Sequence, residues 1–301
     1  MLRKLLAVGL VVAFTQSMLA IGDTSSVHNN LTAEEIVSRN VAARGGLQAW
    51  RAVQSISESG RLGAGGDQRG TAQNPGLTPP GGRGKMKAEP SSPRLAQEAQ
   101  LPFVLEMQRP RKQRFEIQFR GQTAVQVYDG ANGWKLRPYL NRLDVEPYTS
   151  DEIKMASMQS ELDGPLVDYA AKGTRIELAA LDKVEGRETY KLKLTLKTGQ
   201  TMHVWIDAQT FLETKVEGQP RRLDGKMHPV EVYYSDYRSV NGLQIPFLLE
   251  TKVLPFESTE QQRSVSSFPA EKIVIEKVVV NPKLEASRFT KPNTDVATVQ
   301  H

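Results

Sequence analysis

Apolar side chains recur at every second position over much of this chain. Phe103, Leu105 and Met107 alternate with polar neighbours, "RPRK" turns the chain, and Phe115, Ile117 and Phe119 alternate on the way back. "TAVQVYDGANGWKLRP" continues the pattern, with "DGANG" as a tight turn. After an interruption it resumes at "TRIELAAL" and runs through 187–197, 200–207, "FLETKVEG", "HPVEVYYSDY", "LQIPFLLETKVL" and "EKIVIEKVVV". With "SISESGRL" near the start, this predicts about eleven or twelve antiparallel strands, most joined by short loops. A flat sheet of that length leaves exposed edges, so the succession closes as a barrel or curls into a half-barrel. The expected class is mainly β with helices (α+β): an incomplete antiparallel β-barrel covered by helices.

The period lengthens toward 3.6 in a few places. "LTAEEIVSRNVAARGG" carries a capping box, Thr32 with Glu35, an apolar stripe of Ile36, Val37 and Val41, and a Gly45-Gly46 stop. "LQAWRAV" reads as a short second helix with Trp50 and Val53 turned inward. "YTSDEIKMASMQSELDGPLVDYAAKG" holds two more signatures: Thr149 with Glu152 as a capping box, then Pro165 as a first helical residue with Gly173 as terminator. Helices that interrupt a meander cover one mouth or face of the sheet, which makes Ile153, Met158, Leu162 and Leu166 candidate lid residues.

The stretch "KLKLTLKTGQTMHVWID" is the most strictly alternating hairpin, and two registers compete for it. A two-residue turn at Gly199-Gln200 sets Leu194 opposite Trp205 and Leu192 opposite Asp207, which buries a carboxylate beside leucine. A loop of Thr198-Gly199-Gln200 pairs Leu196 with Met202, Leu194 with Val204 and Leu192 with Ile206, leaving one face wholly aliphatic. It also sets Lys191 opposite Asp207 and Lys193 opposite Trp205 on the other face. Burial specifies register strongly, so the second is expected. Such a face must meet protein or an apolar ligand. Leu192, Leu194, Leu196, Met202, Val204 and Ile206, with Phe115, Ile117 and Phe119, are the candidate lining of a cavity.

Composition changes this picture at the ends and in one internal stretch. The first twenty residues have a basic start, an apolar run from Leu5 to Phe14 and small or polar residues before Ala20. That is the layout of a secretory signal peptide, and the run is about half the roughly 20 apolar residues a membrane span needs. A single domain is expected over 21–301. From about Gly63 to Gln100 the chain is rich in Gly, Pro, Ser and Gln and reads as a flexible insertion. The net charge is +5, and loss of Arg3 and Lys4 with a signal peptide leaves +3. These charges are spread along the chain, with no concentrated basic face for nucleic acid. The absence of cysteine removes thiolate chemistry, thiolate metal sites and a lipid-bearing cysteine at the cleavage site.

A search for reactive spacing returns little. His28, His203, His228 and His301 form no His-x-His or His-Glu-x-x-His pattern, and no metal or cofactor is expected. There is no Gly-x-Ser-x-Gly elbow, and "GGRGKM" has Pro79 and Met86 where a phosphate-binding loop needs Gly and Ser or Thr. Asp129, Asp144, Asp163, Asp168 and Asp236 stand at turns and strand ends, where aspartate has an ordinary structural use. This emptiness favours binding over catalysis.

The phrases "ARGGLQAW", "VYDGANGW", "DGPLVDYAAKG", "KVEGRETYKLKL", "VWIDAQTFLETKVEG", "YSDYRSVNGLQIPF" and "IEKVVVNP" resemble the periplasmic LolA/LolB-like lipoprotein-carrier superfamily, in particular its outer-membrane lipoprotein-sorting branch. The resemblance implies a half-barrel whose concave face holds the acyl chains of a lipoprotein or another lipid crossing the periplasm. It also implies inner- or outer-membrane transfer proteins as partners. No residue here is matched to the acyl-release arginine of those carriers. The same half-barrel occurs in envelope sensors that bind a lipoprotein or a membrane partner, which is the alternative reading.

Overall fold

Thirteen strands join in one antiparallel sheet in the computed structural model, which describes residues 31–64, 99–138, 142–223, 225–255 and 270–294. The expected signal peptide, His28, His301 and all but the ends of the 63–100 stretch lie outside the described residues. Six strands precede the interruption: β1 (Ser55–Ala64), β2 (Ala99–Gln108), β3 (Lys112–Phe119), β4 (Gln122–Tyr128), β5 (Gly133–Arg137) and β6 (Arg142–Pro147). Seven follow it: β7 (Arg175–Val184), β8 (Arg187–Thr195), β9 (Thr201–Asp207), β10 (Glu213–Leu223), β11 (Lys226–Val240), β12 (Leu243–Val253) and β13 (Glu271–Val280). Their order is β6-β5-β4-β3-β2-β1-β13-β12-β11-β10-β9-β8-β7. Two meanders are thus joined through β1 and β13, and β6 and β7 remain as edges. The sheet is an incomplete barrel.

Three expectations are corrected. The count is thirteen rather than eleven or twelve, because β6 was not legible: it pairs only with β5 and leaves Leu143 56% exposed, so it carries no clean alternation. The segment expected to start a helix at Pro165 is a run of turns. Gly164 and Asp168 both take left-handed backbone (φ 75° and 52°), and a right-handed helix cannot pass through Asp168. The hairpin of β8 and β9 adopts neither candidate register.

Its pairs are Leu194 with Met202, Leu192 with Val204 and Tyr190 with Ile206. Leu196 N donates to Gln200 O at 2.9 Å, closing a three-residue loop of Lys197, Thr198 and Gly199, with Gly199 at φ 85°. Glycine at the left-handed third position of such a loop decides the register. The displacement from the expected pairing is even, so each side chain keeps its face. Lys191, not Lys193, stands opposite Trp205, its Nζ 5.0 Å from the ring centre.

Helix α1 (Ala33–Ala43) starts at the expected box, with Glu35 N donating to Thr32 Oγ1 and Thr32 N to Glu35. It buries Ile36 and Val37. Helix α2 (Leu47–Ala52) buries Trp50. Between them Gly45 (φ 116°) lies so close to the turn of β11 and β12 that a Cβ would stand 2.5 Å from Gly242 O. Arg44 O there accepts from both Gln244 N and Trp50 Nε1, fixing the helices to that hairpin. Helix α3 (Ser150–Gln159) has the second expected box, Thr149 with Glu152, and lies against β4 and β5.

Candidate functional site

Cross-strand pairing defines an inner face. One row runs Val278, Glu58, Leu105, Phe115, Gln126, Lys135 across β13, β1, β2, β3, β4 and β5. A second runs Tyr234, Leu249, Ile273, Leu62, Leu101 across β11, β12, β13, β1 and β2. A third runs Leu192, Val204, Val216, Val232 across β8 to β11. Ile56, Phe103, Ile245, Phe247 and Ile275 on this face pack with Trp50, Val53 and Val167, so α2 and the turns near Val167 cover it. The opposite face of β13 carries Lys272, Val274, Glu276 and Lys277, all exposed.

The two ends of this face differ. Leu192, Leu194, Val204 and Ile206 are at most 2% exposed, so here the protein fills its own interior. At about 1.5–3 kcal/mol each, the four contribute up to about 6–12 kcal/mol to folding. On β1, β2, β3, β12 and β13 burial is mixed: Ile56, Phe103, Ile245, Phe247 and Ile275 are buried with Trp50, while Leu62, Leu105, Phe115, Ile117, Leu249, Ile273 and Val278 pack against the same core yet keep surface.

Of the residues singled out from sequence, Phe115, Ile117, Phe119, Leu192, Leu194, Met202, Val204 and Ile206 all have inward parity. Phe115, Ile117, Phe119 and Met202 are half-buried, and Leu196 lies at the mouth of the β8–β9 loop. Ile153 and Met158 are half-buried on α3, Leu162 packs against the main core, and Leu166 is fully buried. Four of the five aspartates are structural, and Asp144 is exposed on β6: Asp129 Oδ1 accepts from Ala131 N and Asn132 N, Asp163 pairs with Arg109 and Lys172, Asp168 with Arg51, and Asp236 with Arg238. His203 pairs with Glu217, and Nδ1 of buried His228 meets Leu254 O. Among the described residues no group of three or more His, Asp or Glu is placed to hold a metal ion.

Sequence reasoning missed the polar groups of the inner face. Arg44 stacks on Trp50 with its guanidinium carbon 4.4 Å from the ring centre, meets Glu213 at 3.4 Å and donates to Asp163 O. Tyr237 donates its hydroxyl proton to Glu213 O at 2.9 Å. Burial, then the charge of Glu213, pushes the Tyr234 hydroxyl well above its ordinary range, and Glu58 adds to this from three strands away. Glu58 itself is pushed up to about 7 by burial alone. Its surface is only half-buried while its charge is strongly desolvated. A side chain that opens onto an enclosed concavity, not onto bulk water, has that combination. Alternation alone could have flagged Glu58, since it falls between Ile56 and Leu62 at inward positions.

A separate concavity of about 150 Å³ lies between Arg109, Pro110, Arg111, Ser160, Glu161 and Leu162. It is smaller than the roughly 300 Å³ at which ligand pockets begin. The ion pair of Arg111 and Glu161, 2.5 Å apart, belongs to this wall.

Fold and site together define an open antiparallel half-barrel with an apolar, helix-covered inner face. No protein-family model matches the chain, and no curated protein matches it in sequence. Solved structures do. A LolA superfamily protein from Nitrosomonas europaea is 13% identical with a TM-score of 0.48, over 87% of this chain and 99% of that one. An outer membrane lipoprotein-sorting protein domain from Vibrio parahaemolyticus is 14% identical with a TM-score of 0.48, over 85% and 95%. A DUF1329 family protein from Desulfovibrio piger is 12% identical with a TM-score of 0.50, over 86% and 97%, and shares the fold.

Proposed function

We propose that this chain is a periplasmic carrier that holds the acyl chains of a lipoprotein or another lipid on the inner face of its half-barrel. The observation that carries the reading is the set of inward apolar side chains on β1 to β3, β12 and β13 that stay half-buried beside the helix-covered core. Acyl chains laid on that surface are stabilised by about 0.8 kcal/mol per buried methylene, and no covalent step is needed. β6 and β7 do not pair among the described residues, and the chain that links them runs through α3, which lies against β4 and β5, and the turns that follow. This stretch serves as the moving wall, since it shifts at less cost than a hydrogen-bonded seam. Leu105, Phe115, Ile117, Leu249 and Ile273 are the lining; Leu192, Leu194, Val204 and Ile206 support it as core. Among the described residues no helix is long and apolar enough to cross a membrane.

Extraction and mass spectrometry of lipid from the full chain purified from a periplasmic fraction tests this. Stoichiometric lipid or lipoprotein is expected. Protein that is consistently empty and takes up no fatty-acyl chain in vitro overturns it.

A further inference from the structure

Charged side chains that are buried or half-buried on the described inner face of the sheet are matched by the protein, with one exception. Lys135 holds Glu152 at 2.5 and 2.7 Å, Glu146 holds Arg137 at 2.6 Å, and Glu271 takes both guanidinium nitrogens of Arg221 at 2.6 and 2.9 Å. Among the described residues Glu58 makes no ion pair and no hydrogen bond. Its cross-strand neighbours are Leu105 and Val278, and Ile56 and Gly60 flank it on the same face of β1. A buried charge without a partner is costly, and a core position would be served better by leucine or glutamine. The carboxylate points into the space where the carrier reading places its lipid.

We infer, resting on that carrier reading, that the preferred occupant is an amphiphile with a protonated amine at its polar end, which brings Glu58 the counter-charge that the protein withholds. A cation beside Glu58 interacts across a medium of low dielectric constant, where a charge pair is much stronger than in water. A neutral hydroxyl gains one hydrogen bond there, and an anionic head is repelled. Selection by charge is therefore separate from the affinity of the apolar tail.

The groups facing Glu58 set the pH dependence. Leu105 from β2 and Val278 from β13 do not titrate. Tyr234 from β11 is pushed further above its ordinary range and stays neutral, and beyond it Arg44 and Glu213 are paired with each other. Glu58 thus ionises alone around pH 7, and an alkylammonium remains protonated well above pH 8.

The test is displacement of a neutral apolar dye, N-phenyl-1-naphthylamine, from the full chain by dodecylamine, dodecanol or dodecanoate. At pH 8 dodecylamine is expected to displace the dye at about tenfold lower concentration than dodecanol, the equivalent of one good charged contact. Its advantage shrinks as pH falls to 6. Glu58→Gln abolishes the advantage, so that dodecylamine and dodecanol displace the dye at equal concentration. Equal potency of amine and alcohol at pH 8, or a preference that survives Glu58→Gln, overturns the inference while the carrier reading stands. Failure of both dye and alcohol to bind overturns both. Should Glu58→Gln not fold, the pH series on the unaltered chain decides.

Discussion

Glu58 makes the sheet's stability depend on pH in an unusual direction. Its carboxyl is protonated in the folded chain up to about 7 and in the unfolded chain only up to its ordinary 4.5, so between those values the folded state binds more protons. Stability is therefore complete below about pH 4.5, falls as pH rises toward 7 and levels off above it. That interval, at about 1.4 kcal/mol per pH unit, amounts to roughly 3 kcal/mol at most. Glu58→Gln lacks the dependence. Urea titrations of the ligand-free chain should show the variant gaining on the original between pH 5 and 8, with no gain at pH 4. At the same scale, Gly45→Ala should destabilise by about 2 kcal/mol or more, since the new methyl meets Gly242 O and the backbone is left-handed. Residue-level chemistry was partly legible. Inward parity followed from alternation, but the register of β8 and β9 turned on one glycine whose place in the loop burial arguments do not address.

Elements were legible where one residue signals them strongly. The capping boxes of α1 and α3 stand in the sequence as Thr-x-x-Glu and form as expected. Edge strand β6 and the turns after α3 were not, because tertiary contacts decide them: Arg51 and Asp168 form a bidentate pair 2.9 and 2.6 Å long where a helix was expected. Helix α3 has a further role at this scale. Glu152 both closes its capping box and pairs with Lys135 on β5, whose side chain is only 11% exposed. Glu152→Gln keeps the box and removes the charge, leaving Lys135 nearly buried without its anion. Global stability should fall by about 1–2 kcal/mol, and amide exchange should rise first across Ser150–Gln159. If α3 is the moving wall, a bound acyl chain should also dissociate several-fold faster, read by dye displacement in stopped flow.

For the whole molecule, the sequence could not reveal that two meanders join through β1 and β13, since that pairing links residues more than two hundred positions apart. It is this join that assembles the half-buried part of the inner face, from strands of both meanders, and it makes the two faces of the sheet chemically distinct. The tryptophans report on that distinction. Trp50 is buried in the inner core with Phe103 and Phe247. Trp205 lies on the opposite face of β9 from Val204, under Lys215 at 3.9 Å and Lys191 at 5.0 Å, with its Nε1 donating to Asp182 at 2.7 Å. Trp134 pairs with Val127 on the outer side of β4 and β5. Bromine quenches indole fluorescence only over a short range, so an acyl chain brominated near its middle reads out which face it occupies. In single-tryptophan variants with phenylalanine at the other two positions, Trp50 emission should fall on binding while Trp205 and Trp134 emission holds. Quenching of Trp205 with Trp50 unaffected would place the lipid on the lysine-rich outer face and remove the half-barrel interior as the carrier surface.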